Sequence, residues 1–205
     1  MTPHDLDGLT PVPAGKVPAI VTHLAMNRPA RPPAEPNLPE GVSLDRLGAG
    51  SSARYLALFR RVGAPWLWVS RLKLPPEDIG KMLADSRREA HAVMLDGQEI
   101  GIIELDTIQP DETELVYFGL IPSATGKGLG TALMHHAVHR AFARPILRIT
   151  VHTCTLDDPS ALPFYRRMGF RPVRQEIELI DDPRLDGTLP EDCAPQIPLI
   201  RPGEA

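Results

Sequence analysis

Cysteine is scarce in this chain: two residues of 205, Cys154 and Cys193. Two thiols do not make a disulfide framework, so the fold must rest on a packed core, and a reducing, cytoplasmic setting is expected. An excess of positive charge is also missing. With 22 Lys and Arg against 26 Asp and Glu, the net charge is -4, which argues against a general nucleic-acid binder, whose affinity comes from a basic surface. No apolar run reaches membrane-spanning length, and the first residues lack a basic start followed by an unbroken apolar core. Neither a membrane span nor a leader is therefore expected, and there is no internal repeat. What the chain does have is 42% hydrophobic residues, enough for the core of one main domain with extensions.

The stretch that organises the rest is Glu114 to Phe142, which reads as strand, glycine loop and helix. Glu114 to Ile121 is apolar and rich in branched and aromatic residues, as a buried strand is. Pro122 ends it, because proline cannot donate to a sheet ladder. Ser123 to Gly130 carries glycines at 126, 128 and 130, and from Leu129 the apolar residues recur at helical spacing. Such a loop gathers bare backbone N–H groups at a helix N-terminus, where phosphate binds. A Walker loop is excluded because Gly128 follows Lys127. The dinucleotide fingerprint fails because Thr131 holds the position of its third glycine.

The pattern that remains resembles the pyrophosphate loop of the GCN5-related N-acetyltransferase (GNAT) family, Q/R-x-x-G-x-G/A. Gly128 and Gly130 match its glycines, while Thr125 stands at the Q/R position. A second buried strand, Ile146 to Thr155, leads into a stretch that resembles the family's last signature, N-x-x-A-x-x-L/F-Y-x-x-x-G-F. Ala161, Phe164, Tyr165, Gly169 and Phe170 match it, with Asp158 in place of the Asn. Asp158 also suits a helix N-cap, with Pro159 at the first helical position and Gly169 closing the helix, though Pro163 removes an early helix hydrogen bond. The resemblance covers about residues 41–179.

Residues 1–40 hold nine of the 23 prolines and read as an irregular extension, with Val17 to Met26 apolar enough to form a strand packed on the domain or on a second copy. The domain itself is expected over 41–180. It opens with a strand at Gly41 to Leu47, then helices at Ser51 to Val62 and Pro75 to Ala84, and a link between them that holds Trp66 and Trp68. Strands at Ala90 to Leu95 and Glu99 to Ile108 are joined by Asp96-Gly97, a hairpin signal. A last strand lies near Phe170 to Ile180, and 181–205 reads as a proline-rich tail wrapping the surface. The fold class expected is α/β, a mixed sheet with helices on both faces; the resemblance supplies the topology.

The resemblance also implies a chemistry: transfer of acetyl from acetyl-CoA to a primary amine of a small molecule or peptide, by direct attack in a ternary complex. It places the cosubstrate on Ser123, Thr125, Gly126, Lys127, Gly128, Leu129, Gly130 and Thr131, with Asp158, Ala161 and Phe164 alongside. The pantetheine would pair with Phe118, Gly119 and Leu120. Tyr165 would be the acid at the sulfur, and Trp66 and Trp68 would wall the acceptor pocket. As base we expect Glu114, on one sheet face with Val116 and Phe118, its pKa raised by apolar neighbours. Glu104 and His152 are the substitutes. No metal is expected: His135 and His139 share a helix face, but no H-E-x-x-H pattern accompanies them. Cys154 as a nucleophile has no base beside it in sequence. Glu104, Asp111, Glu112 and Glu114 crowd one region, which favours a cationic acceptor. A non-catalytic acyl-CoA-binding module is the competing reading, a nucleotide binder a third, and a homodimer through the apolar arm is left open.

Overall fold

The computed structural model describes residues 8–31 and 33–203; residues 1–7, 32 and 204–205 of the two extensions lie outside it. Among the described residues, one seven-stranded mixed sheet carries four α-helices. The strands are β1 (Lys16–Asn27), β2 (Val42–Leu47), β3 (Arg88–Leu95), β4 (Gln98–Asp106), β5 (Glu112–Leu120), β6 (Arg148–Cys154) and β7 (Arg171–Asp181). The helices are α1 (Ser52–Gly63), α2 (Pro76–Ala84), α3 (Leu129–Phe142) and α4 (Ala161–Arg167). The spatial order is β2-β3-β4-β5-β6-β1-β7, with every pair antiparallel except β5 and β6.

Each face of the sheet buries an apolar helix stripe. Leu58, Phe59, Val62, Ile79 and Leu83 of α1 and α2 close on Ala90, Ala92 and Ile102 of β3 and β4. On the other face Leu133, Met134, Ala137 and Phe142 of α3, with Tyr165 of α4, close on Ile103, Leu105, Leu115 and Val151. Each large aliphatic or phenylalanine side chain among them contributes about 1.5–3 kcal/mol by leaving water, so these two layers carry the fold.

The apolar arm is an interior strand. β1 alternates buried Val17, Ala19 and Val21 with exposed neighbours, and pairs with β7 from Lys16 and with β6 only from Val21 onward. Pro18 sits beyond the end of β6, where a missing N–H costs no ladder bond. A domain boundary at residue 41 would therefore leave out a strand that bridges two others. The tail is likewise built in. Leu189 and Ala194 are buried against Val17 and Leu67. Arg184 and Asp182 form a bidentate pair with both side chains only 2% exposed. The Arg184 guanidinium also donates to the carbonyls of Ala194 and Ile197 at 3.3 and 2.9 Å.

Two local features aim the site. First, β5 carries a bulge: Glu104 pairs with Tyr117 but Leu105 pairs with Leu115, so Val116 is the extra residue. An extra residue reverses the alternation of faces. Glu114 therefore shares a face with Tyr117 and Gly119, and not, as the uninterrupted alternation predicted, with Val116 and Phe118. Second, α1 ends in a Schellman-type turn. Trp68 N–H donates to Gly63 at 3.0 Å and Leu67 N–H to Ala64 at 3.2 Å, with Leu67 left-handed at φ 56°. A left-handed leucine costs about 1–2 kcal/mol; its burial against Leu189 and Ala194 offsets this.

Candidate active site

β5 and β6 pair in parallel from Glu112–Arg148 to Leu115–Val151, and there the ladder stops. Beyond it the strands diverge around a cavity of about 760 Å³. The cavity runs from the glycine loop, past Val116 to Leu120 on β5 and Tyr165 on α4, to His152 and Cys154 on β6 and on to Val21, Glu178 and Ile180. Trp66 and Trp68 wall it from the link after α1.

The loop is bare. Gly126 and Gly128 are left-handed, at φ 74° and 78°, and a Cβ at either would meet no atom within 4 Å. Gly130 is approached only by the Phe164 ring, at 3.7 Å from a would-be Cβ. Thr125 turns its hydroxyl back onto the Pro122 carbonyl, donating at 2.8 Å. Thr125, Gly126, Gly128, Leu129, Gly130 and Thr131 all line the cavity; Ser123 and Lys127 do not. Phe118, Gly119, Leu120, Asp158, Ala161 and Phe164 line it too. Gly119 is required by packing rather than by a ligand: a Cβ there would lie 2.7 Å from Val62 Cγ1 and 3.1 Å from Trp68.

The second signature folds with a shifted start. Helix α4 begins at Ala161 with Ser160 as its N-cap, so Asp158 is not the cap and Pro159 is not the first helical residue. Asp158 instead closes an Asx-turn, accepting the Ser160 N–H at 2.8 Å. The shift also removes the difficulty at Pro163: as third residue of the helix its N–H would have had no partner there. Gly169 ends the segment at φ 98°, as its spacing predicted.

Asp157, one residue earlier, was not singled out in the sequence and is the busier carboxylate. It accepts from Trp68 Nε1 at 2.9 Å, Thr153 Oγ1 at 2.7 Å and Cys154 N–H at 2.9 Å. It ties the cavity's roof to the end of β6. The only sequence cue was a second acid beside Asp158.

The titratable groups sort clearly. Tyr165 is buried at the cavity wall, and desolvation pushes its hydroxyl above the ordinary range. His152 lines the cavity, with Nδ1 3.3 Å from Glu114 Oε1. That contact raises the imidazole pKa and lowers the carboxyl pKa, against desolvation in both cases. Glu114 itself does not line the cavity, and its pKa moves opposite to the direction expected from apolar neighbours, because His152 is the neighbour that counts.

Glu104 lies beneath α1, fully buried, where Tyr55 donates to one oxygen and Arg71 to the other at 2.5 Å. A carboxylate so paired is structural and does not reach the cavity. Glu112 is paired with Arg148 at 2.7 Å and shares a separate small pocket with Glu114 and Asp106, so the acids expected to attract a cationic acceptor do not line the cavity. Burial pushes the Cys154 thiol up to about 11, which keeps it protonated and inert.

The bare loop thus opens onto the gap where the parallel strands β5 and β6 part. The model of the acetyltransferase (GNAT) family matches residues 57–170, more than half of the chain, and the chain belongs to that family. No curated protein matches it in sequence. Among solved structures it is similar to a functionally unknown conserved protein from Staphylococcus epidermidis: TM-score 0.59, 14% identity, over 82% of this chain and 63% of that one. It is also similar to a putative GNAT acetyltransferase from Novosphingobium aromaticivorans: TM-score 0.56, 19% identity, over 83% of this chain and 70% of that one. A third is an aminoglycoside acetyltransferase from an uncultured soil metagenomic sample, solved with sisomicin: TM-score 0.53, 15% identity, over 63% of this chain and 88% of that one. The chain thus spans less than two thirds of the first relative's length. Among the described residues no helix is long and apolar enough to cross a membrane.

Proposed function

We propose that this protein is an acetyl-CoA-dependent N-acetyltransferase acting on a primary amine of a small molecule or peptide, in a ternary complex. The observation that carries the proposal is the end of the β5–β6 ladder at Leu115–Val151, beyond which the bare loop and Tyr165 line one cavity. The residues fit the cosubstrate. Main-chain amides at Gly126, Gly128 and Gly130 offer donors to a diphosphate with no side chain in the way. The unpaired edge of β5 at Phe118 to Leu120 offers amides to a pantetheine arm, and an N–H near Leu120 would face the developing oxyanion.

His152 takes the base role in place of Glu114, since it is His152 that reaches the cavity. It removes a proton from the acceptor ammonium, and Glu114 stabilises the resulting imidazolium. The freed amine attacks the thioester carbon, the C–N bond forms and the C–S bond breaks, and the second proton leaves the nitrogen for the departing thiolate, which goes out as the thiol. Tyr165, its pKa raised by burial, stays protonated at any working pH and donates a hydrogen bond to the leaving sulfur. The two free cysteines support a reducing, cytoplasmic setting.

The test is the pH profile. A base must be neutral, so kcat/KM should rise with pH through the His152 pKa, above its ordinary 6.5. In Glu114→Gln the carboxylate no longer holds the proton, so the rising limb moves to lower pH while turnover falls at least ~10-fold. An unmoved limb removes the pair from the mechanism. Release of free thiol from acetyl-CoA with a panel of amines separates this reading from a module that binds the cosubstrate without reacting it.

A further inference from the structure

One side chain of the cavity wall, Trp68, is fixed at both of its ends. At the main-chain end it packs on Gly63, where a Cβ would lie 2.4 Å from the Trp68 Cβ and 2.8 Å from its Cγ. Its six-membered ring reaches Gly119 of β5, where a Cβ would lie 3.1 Å from Cη2. Only glycine leaves room for the indole at these two places. Phe59 and Tyr117 pack against it, with ring centroids 5.7 and 5.0 Å away. The polar edge finds Asp157: Nε1–H donates to Oδ1 at 2.9 Å. The other oxygen of Asp157 is held by Thr153 Oγ1 at 2.7 Å and the Cys154 N–H at 2.9 Å. A carboxylate tied in this way gives the indole N–H a strong bond in one place.

The indole therefore spans the gap between the strands. Gly119 lies beyond Leu115, the last residue of β5 paired with β6, and Asp157 lies beyond Val151, the last of β6. Trp68 thus covers the gap on the face that α1 occupies. Tyr117 continues the cover toward the ladder. Its hydroxyl is paired with Ser70 Oγ, and its ring is met edge-on by Phe59 at 4.8 Å and by the Arg71 guanidinium at 5.2 Å. Arg71 is held in turn by the buried Glu104. On the opposite face α4 closes the gap: Phe118 stacks on Phe164 at 5.9 Å, and Phe164 meets Tyr165 at 5.7 Å.

The glycine loop follows Leu120 in the chain. An arm laid along β5 from that loop would meet Leu120 first, then Gly119 and Phe118, and would end near the vertex where β5 and β6 join at Leu115–Val151. The vertex has Trp68 and Tyr117 on one face and Tyr165 on the other. Its open side leads to His152 and Cys154, and the acceptor needs that side. An acyl chain longer than two carbons would meet the indole or take the acceptor's place.

We infer that Trp68, held by Asp157, sets the length of the group this protein transfers and limits it to acetyl. The inference rests on the acyl-CoA reading of the cleft. Behind the indole stand Phe59, Val62 and Tyr117, all apolar or aromatic. Cutting Trp68 back would open that space to the gap, and an alkyl chain could enter it.

The test is calorimetry of the full chain with CoA, acetyl-CoA and butyryl-CoA. Two added methylenes that find apolar room tighten binding by about 10-fold; two that find none do not. In wild type, butyryl-CoA should bind no tighter than acetyl-CoA. In Trp68→Ala it should bind at least ~10-fold tighter than acetyl-CoA. In Asp157→Ala, where the indole is free to swing, the ratio should fall between the two. Wild type gives a second reading that needs no variant of Trp68. Its indole N–H resonance, told from that of Trp66 by Trp66→Phe, should move when bound CoA is replaced by acetyl-CoA. A butyryl preference already present in wild type, an equal ratio in wild type and Trp68→Ala, or an unmoved Trp68 signal overturns the inference and leaves the acyl-CoA reading standing. Failure of CoA and acetyl-CoA alike to bind overturns both.

Discussion

The two ends of the cavity are made of different material. At the loop end the surface is main chain: left-handed glycines, a helix start, and strand amides left over where β5 parts from β6. At the acceptor end it is side chains, and they come from far apart: His152 on β6, Val21 on β1, Glu178 and Ile180 on β7, Trp66 on the link after α1. A main-chain site is set by local backbone geometry, so few residues specify it. A side-chain site needs the whole sheet, the buried tail and the turn at Leu67 to be in place first.

That difference can be broken from the acceptor end. The largest expected effect is on rate: His152→Gln should lower kcat/KM by about 100-fold or more, the range for loss of a general base. Acetyl-CoA affinity, read by calorimetry, should be unchanged. An activity within a few-fold of wild type would remove the imidazole from the chemistry.

Next is the tail. Arg184→Met leaves Asp182 buried without its cation, which should cost about 3–5 kcal/mol in denaturant unfolding. Burial alone would raise the Asp182 pKa, but its bonds and charge pairing with Arg184 lower it overall. The stability it contributes in wild type is therefore present above its unfolded-state pKa and lost as pH falls through the lower folded value. In Arg184→Met that acid-dependent component should disappear. A loss under about 1 kcal/mol would mean that the tail does not brace the link around Leu67.

The smallest effect sharpens the comparison from the loop end. Thr125→Ala deletes a hydroxyl already spent on Pro122, so acetyl-CoA affinity should change by no more than about 3-fold, the scale of one net hydrogen bond or less. A larger loss would mean that the side chain at this position, and not the amides, grips the ligand.

Legibility in the sequence follows the same division. The strand–loop–helix unit, the hairpin at Asp96-Gly97 and the Tyr165 helix could be read because each is fixed by neighbours in sequence. The place of β1 could not, since its partners on β6 and β7 lie more than a hundred residues away. The surroundings of Glu114 were misread for a similar reason. One bulge at Val116 moved Glu114 to the opposite face, and the cross-strand neighbour His152 reversed the expected shift of its pKa. Glu104 read as an available carboxylate because nothing local announced Arg71 and Tyr55.

The most direct test of the account is a map of backbone amide shifts as acetyl-CoA is added to the protein. The amides of residues 125–131 and of Val116 to Leu120 should move most, with Gly126, Gly128 and Gly130 leading, and those of β2 and β3 should stay still. If the ligand binds yet leaves the glycine amides unmoved, or does not bind at all, the cleft is not an acyl-CoA site.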